Sequence, residues 1–358
     1  MKNLLFVANK IVIGGVEKII YELASGLCET EAPPNISLLI LEKGSYNLEK
    51  FEKLNIQVIS TAFFNSASNK WRLLNGYYNL ARFIQKNKYD TIVTFNRNTS
   101  IVFTLLKPLY KAKLIFRDSS SENYETKKTK YYLRFILNNL NIQVVQLSNK
   151  GKNDFCEHFK LSHNKVKVVH NGIEIIAKPE RKAKSKSINF IYIANFFPNK
   201  NHHFLIDVWI DLNSKVNTDI FLTLYGNDNG NKQLKSIIRR TNNISNIKVI
   251  TNVNVESINL TSFDIGLSLS NRESFGNIIL EYMNYELMIL ATKTNGSIEI
   301  LGPKYPYLID PLNHNQLIQI FIKTISEKNF REIGEETKRN MIKRFDHISF
   351  LNNYKNII

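Results

Sequence analysis

Short apolar runs alternate along the chain with longer amphipathic stretches, and polar, Gly or Pro residues bound most of them. A short run between turn residues reads as a buried strand. A longer one with apolar residues at three- and four-residue spacing reads as a helix laid on a sheet. On this basis strands are expected at residues 4–8, 37–41, 57–60, 91–95, 113–116, 143–147 and 165–170, with helices over 16–27 and 71–87. Residues 177–187 break the pattern: they are charged, poor in apolar side chains and interrupted by Pro179, as a linker would be. A second series follows, with strands expected at 189–194, 220–225, 247–250, 265–269 and 288–291 and helices starting at His202, Lys232 and Asn277. The expected organisation is therefore a first Rossmann-like domain over 1–176, a linker over 177–187, a second Rossmann-like domain over 188–335, and a helical tail over 336–358 that returns to brace the first. Open parallel sheets take ligands at the carboxyl ends of their strands, so two such sheets imply a cleft between them.

Composition changes this picture little. Of 358 residues, 43% are hydrophobic and 11% aromatic, enough for two ordinary cores. No run is long and apolar enough for a membrane span. The opening residues read as a buried strand rather than a secretion signal. Cys28 and Cys156 alone give neither a disulfide framework nor metal-ligand spacing, which fits a reducing, cytoplasmic setting. Charge matters more. The net charge is +17, and residues 1–175 carry 25 Lys/Arg against 14 Asp/Glu. Nucleic acid, an anionic membrane surface and phosphorylated substrates would each suit such a chain, as would a general drift towards Lys, Asn and Ile. No nucleic-acid motif accompanies the charge, so nucleic acid is not expected as a partner.

The densest chemistry lies between a buried-strand pattern at 264–270 and the helix expected from Asn277. Glu273 falls in the loop between them and Glu281 one turn into the helix. The N–H groups of Phe275, Gly276 and Asn277 precede the first intrahelical acceptors and are available to oxygen ligands. Gly276 allows close backbone approach, and a carboxylate such as Glu281 can hold two vicinal hydroxyls at once. Gly14 and Gly15 open another helix, whose dipole and N–H groups favour phosphate. His202 and His203 are neighbours on a helix and do not share a face. Cys156 and His158 lack a third group to orient them. Neither pair reads as a metal or nucleophile site, and no metal is expected.

Five segments taken together resemble the family 4 (group 1) retaining glycosyltransferases of GT-B fold. Glu273 to Glu281, with its internal Phe275-Gly276, resembles the E-x7-E signature. Gly14-Gly15-Val16-Glu17 is similar to the family's glycine loop, and His170-Asn171-Gly172-Ile173-Glu174 to the segment before its linker. Asn199-Lys200-Asn201 is similar to the lysine turn that follows the first strand of the second domain. Thr294-Asn295-Gly296-Ser297-Ile298-Glu299-Ile300 resembles its G-G-x-x-E loop. The five occur in the family's order and cover essentially the whole chain.

The resemblance implies transfer of a hexosyl or N-acetylhexosaminyl group from a nucleoside-diphosphate sugar to a saccharide acceptor, with retained configuration and without a metal or other cofactor. Glu273, Lys200 and Ser119 are the expected catalytic groups. Gly14, Gly15, Asn195, Lys200, Arg272, Glu273, Ser274, Phe275, Gly276, Asn277 and Glu281 are expected to bind the donor, and Arg117, Asp118 and Ser119 the acceptor. Two positions depart from the family: Asn195 stands where an arginine is common, and Ser119 where a histidine is. Relatives of this kind build capsule and O-antigen on polyprenyl-diphosphate carriers, which would place the chain peripherally on the inner membrane face. Phe63, Phe64, Trp71, Tyr77, Tyr78 and the basic-aromatic stretch 127–132 are the candidates for that contact. Two alternatives stay open on sequence: a nucleotide-sugar 2-epimerase of the same fold, and a non-catalytic polyanion-binding protein.

Overall fold

The computed structural model describes every residue except Met1, 12–13, 43, 46–47, 62, 64–69, 120–126, 181–185, 228–232, 254 and 312; at 70–73 and 127–129 it describes the backbone alone. The start of the helix expected from Lys232 and the middle of the expected linker therefore lie outside the described residues. The chain forms two compact units. The first comprises Met1–Asn171 and Ile348–Ile358, and the second Gly172–His347.

In the first unit, strands β1 (Asn3–Ala8), β2 (Asn35–Ile40), β3 (Gln57–Ser60), β4 (Thr91–Thr94), β5 (Lys113–Asp118), β6 (Ile142–Gln146) and β7 (Val166–Val168) form one sheet in the order β3-β2-β1-β4-β5-β6-β7, with every pairing parallel. Alternation within β1 shows how the sheet is buried on both faces. Leu4, Phe6 and Ala8 enter one core with the helix Gly15–Cys28, while Leu5 and Val7 enter another with Leu80, Ile84, Leu133, Ile136 and Leu137. The chain's last residues complete the first of these cores through Phe350, Tyr354 and Ile357. Of the tail, residues 330–347 belong to the second unit, where Lys338 pairs with Glu286.

The second unit repeats the plan. Strands β8 (Ile188–Ile193), β9 (Ile220–Gly226), β10 (Ile247–Thr251), β11 (Ile265–Ser268), β12 (Met288–Thr292) and β13 (Leu308–Ile309) run in the order β10-β9-β8-β11-β12-β13, again all parallel. Trp209 stands edge-on to both Phe190 and Phe321 in its core. Both units thus have the doubly wound order in which the chain reverses direction beside the first strand, between β1 and β4 and between β8 and β11. At such a reversal the flanking loops part and leave room for a ligand. This is the two-Rossmann-domain architecture expected from the sequence.

Candidate functional site

The second unit brings its sequence-predicted residues together at this reversal. Lys200 ends a short 3-10 turn (Pro198–Lys200) after β8, and Glu273 lies in the loop after β11. Lys200 Nζ donates to Glu273 Oε2 at 2.6 Å, with both side chains partly exposed. The backbone beneath them is fixed from several directions. The buried Tyr192 hydroxyl donates to the Lys200 carbonyl at 2.6 Å, and burial holds that phenol well above its usual range, so it stays a donor. Asn201 adopts a left-handed conformation (φ 55°), and its Nδ2 donates to Leu269 O and Asn271 Oδ1, both at 2.7 Å. The Asn271 N–H returns a bond to Asn199 O at 2.9 Å. The loops after β8 and β11 are thereby stitched into one platform carrying Lys200 and Glu273.

A second set of bonds shapes the remainder of the Glu273 loop. Gly276 caps the helix Asn277–Asn284 with φ 95°, a conformation that L side chains rarely adopt, and its carbonyl accepts from Ile279 N. Phe275 is buried edge-on against Phe345. Gly296 N–H donates to Glu273 O at 3.0 Å from the start of the helix Asn295–Leu301, which a Thr294–Ser297 capping box initiates. A Cβ at Gly296 would stand 2.1 Å from Phe275 O, so only glycine permits this approach. Ser274, Asn277 and Glu281 are partly exposed along the same loop and helix, and Arg272 is exposed.

Asn195 sits at the tip of β8, and its Oδ1 accepts the Asn227 N–H at 3.1 Å, tying this tip to the end of β9. The side chain is a backbone acceptor here and supplies no charge. His202 is buried between the rings of Tyr192 and Phe196, centroids 4.9 and 4.8 Å away. His203 instead lies against Arg240. Burial pulls the His202 pKa down to about 3 against a smaller opposing pull from the Ala194 backbone, so the ring is neutral in the native state. The unfolded chain binds a proton near pH 6.5 and the folded chain does not. Stability is therefore expected to fall as pH drops from 6.5 towards 3, by about 1.4 kcal/mol per pH unit from this group. Denaturant titrations of wild type and His202→Phe across that range check this; parallel curves would refute it.

In the first unit the residues after β5 are held firmly. Asp118 is buried and receives a two-pronged bond from Arg97, Nε at 3.1 Å and Nη2 at 3.0 Å, and a third from Gln146 at 3.2 Å. Arg117 points to the other side of the sheet, fully buried, with Nη2 donating to Asn171 Oδ1 at 2.6 Å and the guanidinium over the Phe95 ring. Ser119 is partly exposed, and its hydroxyl donates to Phe95 O at 2.9 Å. Of the three expected acceptor residues, Arg117 and Asp118 are thus buried and only Ser119 is partly exposed. Gly14 and Gly15 are exposed at the start of the helix Gly15–Cys28, where Gly14 O accepts from Lys18 N. Arg97 was not singled out from the sequence. Its position directly after a strand at the sheet's reversal point was the available signal.

Two doubly wound parallel sheets, one carrying a glycine-opened helix after its first strand and the other a Lys–Glu pair with a glycine-capped helix, define a GT-B protein. The family model for glycosyl transferases group 1 matches residues 174–344, and that for glycosyltransferase family 4 matches residues 13–175. The chain belongs to the family 4/group 1 glycosyltransferases. It is 28% identical over 188 residues to the capsular polysaccharide biosynthesis glycosyltransferase CapH of Staphylococcus aureus, an alignment covering 51% of this chain and 52% of that one. The chain thus spans about half the length of the curated relative it matches. Among solved structures, a glycosyltransferase from Rickettsia africae superposes with a TM-score of 0.80 at 19% identity, covering 99% of this chain and 97% of the other. Anabaena HepE in complex with UDP and glucose gives 0.80 at 16% identity, covering 100% and 99%. At these identities the likeness is one of fold.

Proposed function

We propose that the chain transfers a hexosyl or N-acetylhexosaminyl group from a nucleoside-diphosphate sugar to a lipid-linked saccharide on the inner face of the cell membrane, in capsule or O-antigen assembly. The observation that carries the donor half of this reading is the Lys200–Glu273 pair at the reversal of the second sheet. Lys200 supplies the cation that a departing diphosphate requires, and the N–H groups at the start of the helix Asn277–Asn284 add their dipoles. Glu273 and the loop to Gly276 orient the sugar, and Glu281, in that helix, binds the ribose hydroxyls. A UDP donor is favoured by the HepE complex.

In the step itself, the bond from the sugar's anomeric carbon to the diphosphate oxygen breaks. A bond to the acceptor hydroxyl forms on the same face, which retains configuration, and the acceptor's proton passes to the departing phosphate oxygen. No metal and no separate protein base take part. On the first unit we assign Gly14 and Gly15 to phosphate and Ser119 to the acceptor, with Arg117 and Asp118 as its positioning residues.

Calorimetric titration with a panel of UDP- and GDP-sugars tests this. One donor should bind, and Glu281→Ala should weaken it by roughly tenfold to a hundredfold, the loss of one or two hydrogen bonds to a carboxylate. If no sugar nucleotide binds, or the variant binds as well as wild type, the assignment fails.

A further inference from the structure

Among the described residues, five of the six most exposed large apolar side chains lie on just two helices: Tyr131 (75% exposed), Phe135 (64%), Leu74 (60%), Tyr78 (58%) and Tyr132 (51%). The helices are Lys70–Lys86 and Lys127–Asn139. Both pack on the same face of the first unit's sheet, the former through Leu80 and Ile84 and the latter through Leu133, Ile136 and Leu137. Each follows a strand, β3 or β5, and so begins at the carboxyl edge of that sheet. Their exposed apolar residues fall in the first three turns, nearest that edge. Leu74, Tyr78 and Arg82 form an i, i+4, i+8 stripe, and Tyr131 and Phe135 an i, i+4 pair.

Exposed apolar residues on one helix would be unremarkable. What distinguishes these is the charge around them. The two helices contain eight Lys and Arg and no Asp or Glu. Arg82 lies over the Tyr78 ring, and Lys130 and Arg134 interleave with Tyr131, Tyr132 and Phe135. A protein partner that covered aromatic rings would bring mixed charges. Nucleic acid would answer the cations but give little reason for a leucine and a phenylalanine turned outward. An anionic bilayer answers both, with acidic headgroups for the Lys and Arg residues and an interfacial layer in which Tyr, Phe and Leu are buried. Of the aromatic residues considered from sequence, Phe63 instead packs on Phe83, and Tyr77 is half-buried; Phe64 and the Trp71 side chain lie outside the described residues.

We infer that these two helices are a docking surface for an anionic lipid bilayer. The surface deepens the lipid-linked acceptor of the proposed function and gives it a physical route to the first unit, but its test does not depend on turnover. The full chain is sedimented with vesicles of phosphatidylcholine alone, and with vesicles in which half of that lipid is replaced by phosphatidylglycerol. Binding to the anionic vesicles only, weakening as salt rises, is the expected result. Lys130→Gln with Arg134→Gln should lower partitioning by about thirtyfold, each cation near an anionic surface contributing about fivefold. Tyr131→Ser with Phe135→Ser, and independently Leu74→Ser with Tyr78→Ser, should each lower it about tenfold. These positions are exposed, so circular dichroism and donor titration should match wild type, which separates loss of docking from loss of the donor site. The inference is overturned if wild type stays in the supernatant with both vesicle types, or if the aromatic and leucine variants sediment as wild type does. It is also overturned if the chain binds duplex DNA with the same salt dependence as vesicles and the aromatic variants leave both unchanged, which would make the charge a general polyanion surface.

Discussion

Replacing Lys200 by alanine is expected to lower the turnover of donor about a hundredfold to a thousandfold while leaving the fold intact. The size follows from the chemistry. As the sugar–phosphate bond breaks, negative charge grows on the diphosphate, and a preorganised cation acts more strongly on the transition state than on bound donor; losing one such group typically costs 10²–10³ in rate. Little stability is at risk, because the Lys200–Glu273 pair is partly exposed and pairs of that kind contribute about 0–1 kcal/mol. The platform is held by other bonds, from Tyr192 to the Lys200 carbonyl and from Asn201 to Leu269 and Asn271, which the substitution leaves alone. Donor hydrolysis without acceptor gives the rate, and thermal unfolding gives the stability. A double-mutant cycle with Glu273→Ala sharpens the result, since residues acting on one donor should be strongly non-additive. Unchanged turnover in Lys200→Ala would remove the cation from the mechanism and with it the main support for the donor site.

How much of this was legible in the sequence depends on what each residue is buried by. The first strand was legible because it is buried on both faces, so Leu4–Ala8 is a continuous apolar run whichever core each side chain enters. The helix Arg97–Leu105 was not. Thr99 and Ser100 are fully buried in it, satisfied by the carbonyls of Asn96 and Arg117, and a face closed by hydrogen bonds leaves no hydrophobic period to read. Arg97 went unnoticed with it, although it grips Asp118. Motif order places Lys200 and Glu273 on their loops but does not pair them; that Lys200 meets Glu273 is a fact of the β8–β11 reversal. Asn195 shows the converse limit. As a departure from the family pattern it read as a missing charge, whereas its side chain accepts the Asn227 N–H and closes the β8–β9 tip.

Gly296→Ala should damage the stability of the second unit and its donor kinetics together, and the reason joins the two. The added Cβ would stand 2.1 Å from Phe275 O and 2.4 Å from Phe275 C, backbone atoms that cannot rotate away as a flexible side chain could. Either the helix Asn295–Leu301 or the loop Glu273–Gly276 has to move. The Gly296 N–H to Glu273 O bond lies across the same contact, so movement of either element strains it. Overpacking of this kind costs about 1–3 kcal/mol, and at roughly 2–4 °C for each kcal/mol the thermal midpoint should fall by several degrees. Because the loop carries Glu273, a shift approaching ~1 Å should cost a further factor of about a hundred in donor kcat/KM per folded molecule. Gly334→Ala supplies the comparison. Its Cβ would meet Glu286 O at 1.9 Å, a collision at least as severe, but with the turn before β12 rather than with the donor loop. That variant should lose stability and keep donor kinetics in the fraction that remains folded. If Gly296→Ala behaves the same way, the contact holds the fold alone and Glu273 is positioned by the Lys200 platform; if kcat/KM falls only in Gly296→Ala, the helix start at Asn295 is part of the machinery that presents Glu273 to the donor.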